Sequence, residues 1–361
     1  MLAKNLVWLF FCFALSGNTL TTSCKKEKTC KTSRTLGLKT SDCYKMDLKK
    51  FPTCLPPNVE VVELSYNRIR KVEYDDLHRY PYITHLYLTD NLISKLDDDI
   101  FKDSTSLETL DLSVNALFRV PPSIFQLPTL KTLYLSQNMN INVAESLENA
   151  KPILQSTLTK LDISYITEDG YATDFPDFSD LPLLAFVNIS GDQFNYLSPR
   201  HFAGLCNLQI LANSNATAEF ENDCDCWKIN RWLAERKVVF TDFQCPNNKE
   251  GMHLMCNFQN YNVHCYADCI DDQIEFDDLE AFSKCMEKLQ NIQFALYLKK
   301  VWIWIGVAVI LIFFLSIIIV YIKWRKNKQK KRLTKRAKPL IKPPLAIEHK
   351  DQFQLMERLN D

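Results

Sequence analysis

Glycine and histidine are scarce in this chain, with only seven glycines and six histidines among 361 residues. The sequence contains no glycine-rich loop of the kind that cradles a phosphate group. The histidines, at positions 78, 85, 201, 253, 264 and 349, form no HExxH zinc motif. We therefore expect no catalysis, no cofactor and no metal site, and the sequence favours a binding role.

Charge is missing from one long segment. Residues 301–322, VWIWIGVAVILIFFLSIIIVYI, contain no charged side chain. As a helix this segment would extend roughly 33 Å, enough to cross the hydrocarbon layer of a membrane. Ten of the sixteen residues that follow, 323–338, are basic, which predicts that this side faces the cytoplasm. We predict one transmembrane helix at 301–322 and a basic cytoplasmic tail at 323–361, close to anionic lipid.

A secretory signal is predicted at residues 1–22, where Lys4 precedes an apolar run and then small residues. Cleavage is expected between Ser16 and Ser23. Signal and span together predict a single-pass type I protein of the plasma membrane with an extracellular N-terminus. The segment KPPLAIEHKDQFQLMERL in the tail has two readings, an adaptor-docking motif or an unstructured end.

An apolar spacing that suits neither a helix nor a strand recurs along the chain. SLETLDLSVNAL places leucines at offsets 1, 4, 6 and 11 of a register that begins at Leu107, with Asn115 at offset 9. VEVVELSYNRI and ITHLYLTDNLI repeat these offsets with apolar residues, and LKTLYLSQNMN does so except at the last, where Asn140 stands. LTKLDIS, LAFVNIS and LQILA repeat them more weakly. This spacing resembles the leucine-rich repeat, in which each repeat contributes one short strand to a shared parallel sheet.

The resemblance implies an α/β fold, a leucine-rich repeat solenoid of about seven repeats over residues 58–217 with a parallel sheet on its concave face. Side chains at offsets 4 and 6 are expected in the core, and those at offsets 3 and 5 on the concave surface. The offset-9 asparagine is expected to bond main-chain groups at the turn. Ile166, Asp192 and Ala216 replace that asparagine in the later repeats, which predicts a less regular arc there.

Cysteine is nearly absent from the repeats, where only Cys206 occurs, and is concentrated on both sides of them. A solenoid exposes apolar core at its ends, so we expect disulfide-bonded caps at residues 23–57 and 218–270. The motif Cys224-x-Cys226-Trp227 with Cys245 resembles the cysteine-rich flank of extracellular repeat arrays in Toll-type receptors and adhesion proteins. The N-terminal flank carries a matching set: Cys24, Cys30, Cys43 and Cys54.

The resemblance implies that Cys224 and Cys226 pair with Cys245 and with one of three later cysteines, Cys256, Cys265 or Cys269. We assign Cys265 to the disulfide set and leave the partners of Cys206, Cys256, Cys269 and Cys285 open. His264, Cys265 and Cys269 have an alternative reading as part of a zinc site, which an oxidising compartment disfavours. The short tail is expected to lack the intracellular signalling domain of Toll-type receptors.

An acidic juxtamembrane stalk is predicted at residues 271–300, where DDQIEFDDLE carries the charge. We read this run as the solvated face of an amphipathic segment whose apolar side chains pack elsewhere. Those apolar side chains are Ile274, Phe276, Leu279 and Phe282. The alternative reading is a calcium site.

The concave face is the candidate binding surface, because alternating tyrosines and carboxylates supply aromatic anchors and charge. The candidate residues are Glu63, Tyr66, His85, Tyr87, Asp90, Asp111, Tyr134 and Asp162. The alternative is an inert, solvated sheet face. Sequons at Asn188 and Asn215 predict glycans, and a sugar at Asn188 would confine a concave partner to the first four repeats.

These features predict a cell-surface receptor or adhesion molecule that binds a protein partner and no nucleic acid. The alternative is an accessory or regulatory membrane protein, a co-receptor or decoy, that acts on neighbouring receptors in the same membrane. The identity of the partner and the oligomeric state stay open at this point.

Overall fold

The structure is a computed structural model that describes residues 29–154, 156–168, 170–220, 223–245, 255–259, 262–266 and 276–336. The chain divides into two compact units, Met1–Ile292 and Gln293–Asp361. The predicted signal at 1–22, Cys24, Cys269, Ile274 and the tail after Arg336 lie outside the described residues.

The first unit is built from short strands. They are β1 Lys31–Thr35, β2 Leu38–Asp42, β3 Val61–Glu63, β4 His85–Tyr87, β5 Thr109–Asp111, β6 Thr132–Tyr134, β7 Lys160–Asp162, β8 Phe186–Asn188, β9 Gln193–Leu197, β10 Ile210–Ala212, β11 Thr217–Phe220, β12 Met255–Gln259 and β13 Asn262–Tyr266. Among the described residues, nine of them form one sheet in the order β1-β2-β3-β4-β5-β6-β7-β8-β10. All neighbours from β2 to β10 are parallel, and β1 alone is antiparallel to its neighbour.

The predicted parallel sheet is confirmed, and its register follows the repeat spacing. Each of the seven registers read from the sequence contributes one strand at its offsets 3 to 5, beginning with β3 and ending with β10. Leu86 of β4 lies beside Val62 on one side and Leu110 on the other. Equivalent residues therefore stack along the sheet, as the common spacing requires.

The core lies on one face of this sheet. The offset-4 and offset-6 side chains of the middle repeats, Leu110, Leu112, Leu133 and Leu135, are fully buried. Each contributes about 1.5–3 kcal/mol of burial free energy, and no single repeat could bury them without its neighbours. Their inward placement was predicted from the sequence and is confirmed.

The offset-9 asparagines bridge successive repeats, as Asn138 illustrates. Its Oδ1 accepts a hydrogen bond from the Leu117 main-chain N–H (3.1 Å), and its Nδ2 donates to the carbonyls of Leu112 (2.9 Å) and Leu135 (2.8 Å). Asn91 makes the same pattern two repeats earlier. Each amide therefore satisfies buried main-chain groups of two repeats at once.

Helices occupy the connections between strands and the region after the repeats. They are α1 Tyr74–His78, a 3-10 helix at Pro122–Gln126, α2 Val143–Ala150, α3 Arg200–Ala203, α4 Asp223–Glu235 and α5 Phe276–Arg336. In α2, Asn142 caps the N-terminus by accepting from the Glu145 N–H, and Val143, Leu147 and Ala150 face the core.

Three disulfides are defined within the described residues: Cys30–Cys43, Cys226–Cys245 and Cys206–Cys285. The pairing of Cys226 is one that the resemblance implies. Cys54 and Cys224 are also disulfide-bonded, whereas the side chains of Cys256 and Cys265 are outside the described part, although their backbones are opposite each other in β12 and β13. Cys206, whose partner the sequence left open, is bonded within the same chain.

From Phe276 onward, the segment predicted as a juxtamembrane stalk is helical, and the first turns of this helix pack against the first unit. Cys285 and Leu289 of α5 are buried, and Phe282 meets the Trp232 ring edge-on with 5.7 Å between centroids. Leu279, which we expected to pack, is instead 46% exposed. That expectation was wrong because the helix turns Phe282 and Cys285 toward the unit and leaves Leu279 on another side.

The second unit contains the continuation of α5 through the predicted span. This helix is long and apolar enough to cross a membrane. Its apolar side chains, among them Leu311 and Phe313, are exposed rather than packed against other described residues. Such a surface is suited to lipid, since hydrocarbon chains are the only solvent in which it is not penalised.

A left-handed backbone recurs at offset 8, just after each strand. Positive φ angles occur at Tyr66, Asp90, Val114, Gln137, Tyr165, Gly191 and Asn215. At Gly191 the constraint is double, because an added Cβ would also lie 2.3 Å from the Cδ1 and Cε1 atoms of the Tyr165 ring.

We expect Gly191→Ala to destabilise the protein by about 1–2 kcal/mol, since alanine is strained at a positive φ and its Cβ displaces the Tyr165 ring. Thermal unfolding of the two proteins measures the loss. Gly170→Ala is the matched control, because Gly170 has a φ of +84° and no atom of the described residues lies within 4 Å of an added Cβ. Equal losses at the two positions would show that the ring contact contributes nothing.

Candidate protein-binding surface

The face of the sheet opposite the core carries two columns of half-buried side chains, one at offset 3 and one at offset 5. The offset-5 column reads Glu63, Tyr87, Asp111, Tyr134, Asp162 and Asn188. Parallel strands are about 4.8 Å apart, so each tyrosine lies directly between two carboxylates. His85 belongs to the offset-3 column, and its ring stacks on that of Tyr87 with 6.4 Å between centroids.

The two remaining predicted residues, Tyr66 and Asp90, are not in the strands. Both occupy the left-handed offset-8 position, at the edge of the face where the chain turns away. Tyr66 extends the surface there, because its ring lies 5.2 Å from that of Tyr44. The predicted set is therefore brought together as two columns and a rim.

The carboxylates of the offset-5 column have a structural task that sequence reasoning missed. Glu63 accepts a hydrogen bond from the Ser65 N–H (2.7 Å), and Asp111 accepts one from the Ser113 N–H (2.9 Å). In the same way, Asp162 accepts from the Ser164 N–H, and the amide oxygen of Asn188 accepts from the Ser190 N–H. The signal was present as an acid or amide followed two positions later by serine, a spacing typical of Asx-type turns.

This task uses one carboxylate oxygen and leaves the second for other contacts. For Asp162 the second oxygen accepts from the Asn188 amide (3.1 Å). For Glu63 and Asp111 no further hydrogen bond or ion pair occurs within the described residues. The first repeats therefore present unpaired negative charge on the open face.

Electrostatics at Tyr87 reflect this arrangement. Burial raises the pKa of the Tyr87 hydroxyl first, and the negative charge of Glu63 raises it further. The phenol therefore stays protonated at neutral pH and is available as a hydrogen-bond donor.

A cation is already held on this face farther along the sheet. Lys160 Nζ lies 4.9 Å from the centroid of the Tyr134 ring and 4.7 Å from that of Phe186. Each contact is a cation–π interaction of about 0.5–1 kcal/mol at an exposed site. The aromatic rings around β7 are thus already in contact with a cation of the same chain.

The two predicted glycosylation sites differ in their surroundings. Asn188 donates its amide N–H groups to Asp162 (3.1 Å) and Ser164 (3.3 Å) on the sheet face. Asn215 is exposed in a left-handed turn position. Asn215 is therefore the more accessible acceptor in the folded chain.

The N-terminal end of the face contains residues that sequence reasoning did not single out. A cavity of about 450 Å³ opens there between the β1–β2 hairpin and the first two repeat strands. Its lining residues are Ser33, Thr35, Leu36, Leu38, Thr40, Asp42, Tyr44, Val61, Glu63, His85 and Tyr87. The sequence contained no signal that the hairpin would join the sheet, because β1 and β2 lack the repeat spacing.

Comparison with known proteins supports the repeat assignment. The family model described as leucine rich repeat matches residues 81–141. Toll-like receptor 2 type-2 of Gallus gallus is 33% identical over 204 residues, which cover 55% of this chain and 25% of that protein. Tsukushi of Gallus gallus is 30% identical over 174 residues, which cover 43% of this chain and 47% of that protein.

Toll-like receptor 8 of Homo sapiens is 26% identical over 187 residues, covering 45% of this chain and 17% of the receptor. The matched region thus spans between 17% and 47% of the length of these three relatives. The chain contains leucine-rich repeats, and the described part after them includes a helix suited to a membrane.

Proposed function

We propose that this leucine-rich repeat chain is a cell-surface receptor or adhesion molecule that binds a protein partner on the concave face of its sheet, without catalysis. The alternating tyrosines and carboxylates of the offset-5 column are the observation that carries the proposal. Tyrosine offers a large, rigid contact area at low conformational cost, and such residues dominate the energetics of protein interfaces.

The proposed topology is single-pass type I in the plasma membrane. Three disulfides among the described residues favour an oxidising, extracellular location for the repeats. The apolar helix is followed by a basic run, which favours a cytoplasmic position for the tail.

We further propose that the partner engages the first four repeats. Unpaired carboxylates are found there, whereas Lys160 and Asn188 occupy the face farther along. A glycan on Asn188 would add a steric barrier at β8, the strand of the sixth repeat.

The expected result of Tyr87→Ala or Tyr134→Ala is a roughly tenfold loss of partner binding, because each removes an aromatic anchor worth about 1–2 kcal/mol. Cells that express the full chain are mixed with cells that do not, and adhesion between cells is compared with proximity labelling of neighbours in the same membrane. Adhesion dependent on the tyrosines supports an adhesion role, and tyrosine-dependent labelling alone supports the co-receptor alternative.

Tyr171→Ala provides the matched control, since Tyr171 is 67% exposed and lies outside the strands. Phe186→Ala tests whether β8, the strand of the sixth repeat, contributes to binding on the same face. Binding that survives both tyrosine substitutions and is lost with Tyr171→Ala would contradict the concave site. Loss only with Phe186→Ala would contradict the restriction to the first four repeats.

A further inference from the structure

We propose that the cavity at the N-terminal end of the concave face binds an arginine side chain of the partner protein. The inference rests on the proposed function, since it names the chemistry by which a protein docked on that face would be recognised. It is carried by the charge, the aromatic rings and the shape of the cavity lining.

Among the described residues, the lining provides two carboxylates, one histidine (His85), and no lysine or arginine. Asp42 and Glu63 are register partners on the adjacent strands β2 and β3. Asp42 accepts from the Tyr44 N–H (3.0 Å) with one oxygen, as Glu63 does from Ser65. Within the described residues, neither carboxylate forms an ion pair, so both retain an oxygen for a partner.

Aromatic rings border these carboxylates. Tyr44 is 50% exposed, so much of its large aromatic ring is accessible to a partner. Tyr87 lies close enough to Glu63 for that charge to raise its pKa. A cation placed between the rings and the carboxylates would therefore gain both cation–π and ionic contacts.

The same face already shows this arrangement with its own cation. Lys160 is held between the rings of Tyr134 and Phe186 at 4.9 and 4.7 Å, on the strand that carries Asp162. The cavity repeats the combination of ring and carboxylate, yet no lysine or arginine is among its described lining residues. A cation from another molecule would complete it.

Arginine fits the site better than lysine. Its planar guanidinium can bond two neighbouring carboxylates at once and stack on a tyrosine ring, and it is more weakly hydrated than an ammonium group. Leu36, Leu38 and Val61 supply apolar walls for the methylene stem of the side chain. The volume also leaves room for residues beside the arginine.

The test measures binding of a defined probe to the full chain in phosphatidylcholine nanodiscs. The probe is the peptide Ac-Ala-Arg-Ala-NH2, and the same peptide with citrulline is its neutral isostere. Saturation-transfer NMR titrations at constant ionic strength give the two affinities. We expect the citrulline peptide to bind about tenfold more weakly, the change that loss of a charge-assisted hydrogen bond produces.

The double variant Asp42→Asn/Glu63→Gln should lower the affinity for the arginine peptide about tenfold, to that of the citrulline peptide. Both substitutions keep an oxygen that can accept from the turn N–H, so the fold is retained. Glu108→Gln is the matched control, because that carboxylate lies outside the cavity and pairs with Lys131 (2.7 Å).

Equal affinities for the two peptides, or unchanged affinity in the double variant, would overturn the inference. That failure is distinguishable from failure of the proposed function. Cell binding that still requires Tyr87 and Tyr134 would leave the concave interface standing without an arginine anchor. Arginine-specific peptide binding without any tyrosine-dependent cell binding would leave the cavity assignment standing alone.

Discussion

Substituting Asp192 with asparagine is expected to stabilise the repeat unit, and to do so more strongly near pH 8 than near pH 4. Asp192 occupies offset 9 of the sixth register, the position that asparagine holds in the first four. It is fully buried. Its Oδ1 accepts from the Ile166 N–H (2.7 Å), whereas its Oδ2 has no hydrogen-bond partner among the residues that the structure describes.

The repeat register explains the unsatisfied oxygen. In Asn138 the amide nitrogen donates to two main-chain carbonyls, one in its own repeat and one in the preceding repeat. A charged carboxylate at that place can only accept, so it leaves the equivalent position without a bond. An amide, or a protonated carboxyl group, can donate there.

The direction of the pH dependence follows from the pKa. Burial raises the pKa of Asp192 from 3.8 to about 7, and the charge of Asp162 contributes to the rise. Between these values the folded protein holds a proton that the unfolded chain releases, so stability falls as the pH rises through this window. Above about pH 7 the loss is complete, and asparagine removes it.

The gain is at most about 4 kcal/mol, because each unit of pKa difference corresponds to about 1.4 kcal/mol. A 150–250-residue domain gains about 2–4 °C in Tm per kcal/mol, so a shift of several degrees is expected. Thermal unfolding of parent and variant is compared from pH 4 to pH 8. Asp111→Asn is the control, since Asp111 is solvent-accessible on the same sheet. A difference that stays constant with pH would contradict the argument.

Removing the Cys206–Cys285 disulfide is expected to produce the second large effect. The bond joins residues 79 positions apart, and closing a loop of this size stabilises the folded state by about 4 kcal/mol in the chain-entropy account. The double variant Cys206→Ala/Cys285→Ala should lose stability of this order. The loss should be concentrated in residues 276–292, which pack against the repeats through few other side chains.

Those other contacts are modest. Leu289 is buried, Phe282 meets the Trp232 ring, and the Arg236 guanidinium lies 4.6 Å from the centroid of the Phe282 ring. The ion pair of Lys288 with Asp180 (2.7 Å) is largely exposed and is worth about 0–1 kcal/mol. Without the disulfide, residues 276–292 would open more often than the repeats.

Hydrogen exchange of the full chain in detergent measures this opening directly. Faster exchange in residues 276–292, with little change in strands β4 to β6, is the expected pattern. Lys288→Ala is the matched control, since it removes the ion pair and retains the disulfide. Unchanged protection of residues 276–292 in the double cysteine variant would show that packing alone secures the helix.

The sheet could be predicted from the sequence because leucine and other aliphatic residues recur at the same offsets in each repeat. Leu110 and Leu133 repeat at a spacing that only stacked turns explain, and the structure buries both. The membrane-suited helix was equally predictable, since an apolar segment of that length without charges is typical of a membrane-spanning helix. Both features depend on local pattern alone.

Other features depend on contacts between distant segments, which spacing does not encode. Nothing in the sequence indicated that Cys206 reaches Cys285, or that Phe282 packs while Leu279 does not. The tyrosines of the offset-5 column were identified from the sequence, but the cavity beside them was not. Tyr44 and Asp42 belong to a hairpin with no repeat spacing, so only the folded chain places them next to Glu63.

The antiparallel strand β1 also limits how this architecture can lengthen. Within the nine-stranded sheet, neighbouring strands from β2 to β10 are parallel, whereas β1 is antiparallel to β2 and so reverses the direction of the chain at that end of the sheet. A duplicated 24-residue module therefore fits between two existing modules, where both of its flanks meet matching surfaces. Growth of such a protein over generations is expected to proceed by internal duplication, with its extremities kept as they are.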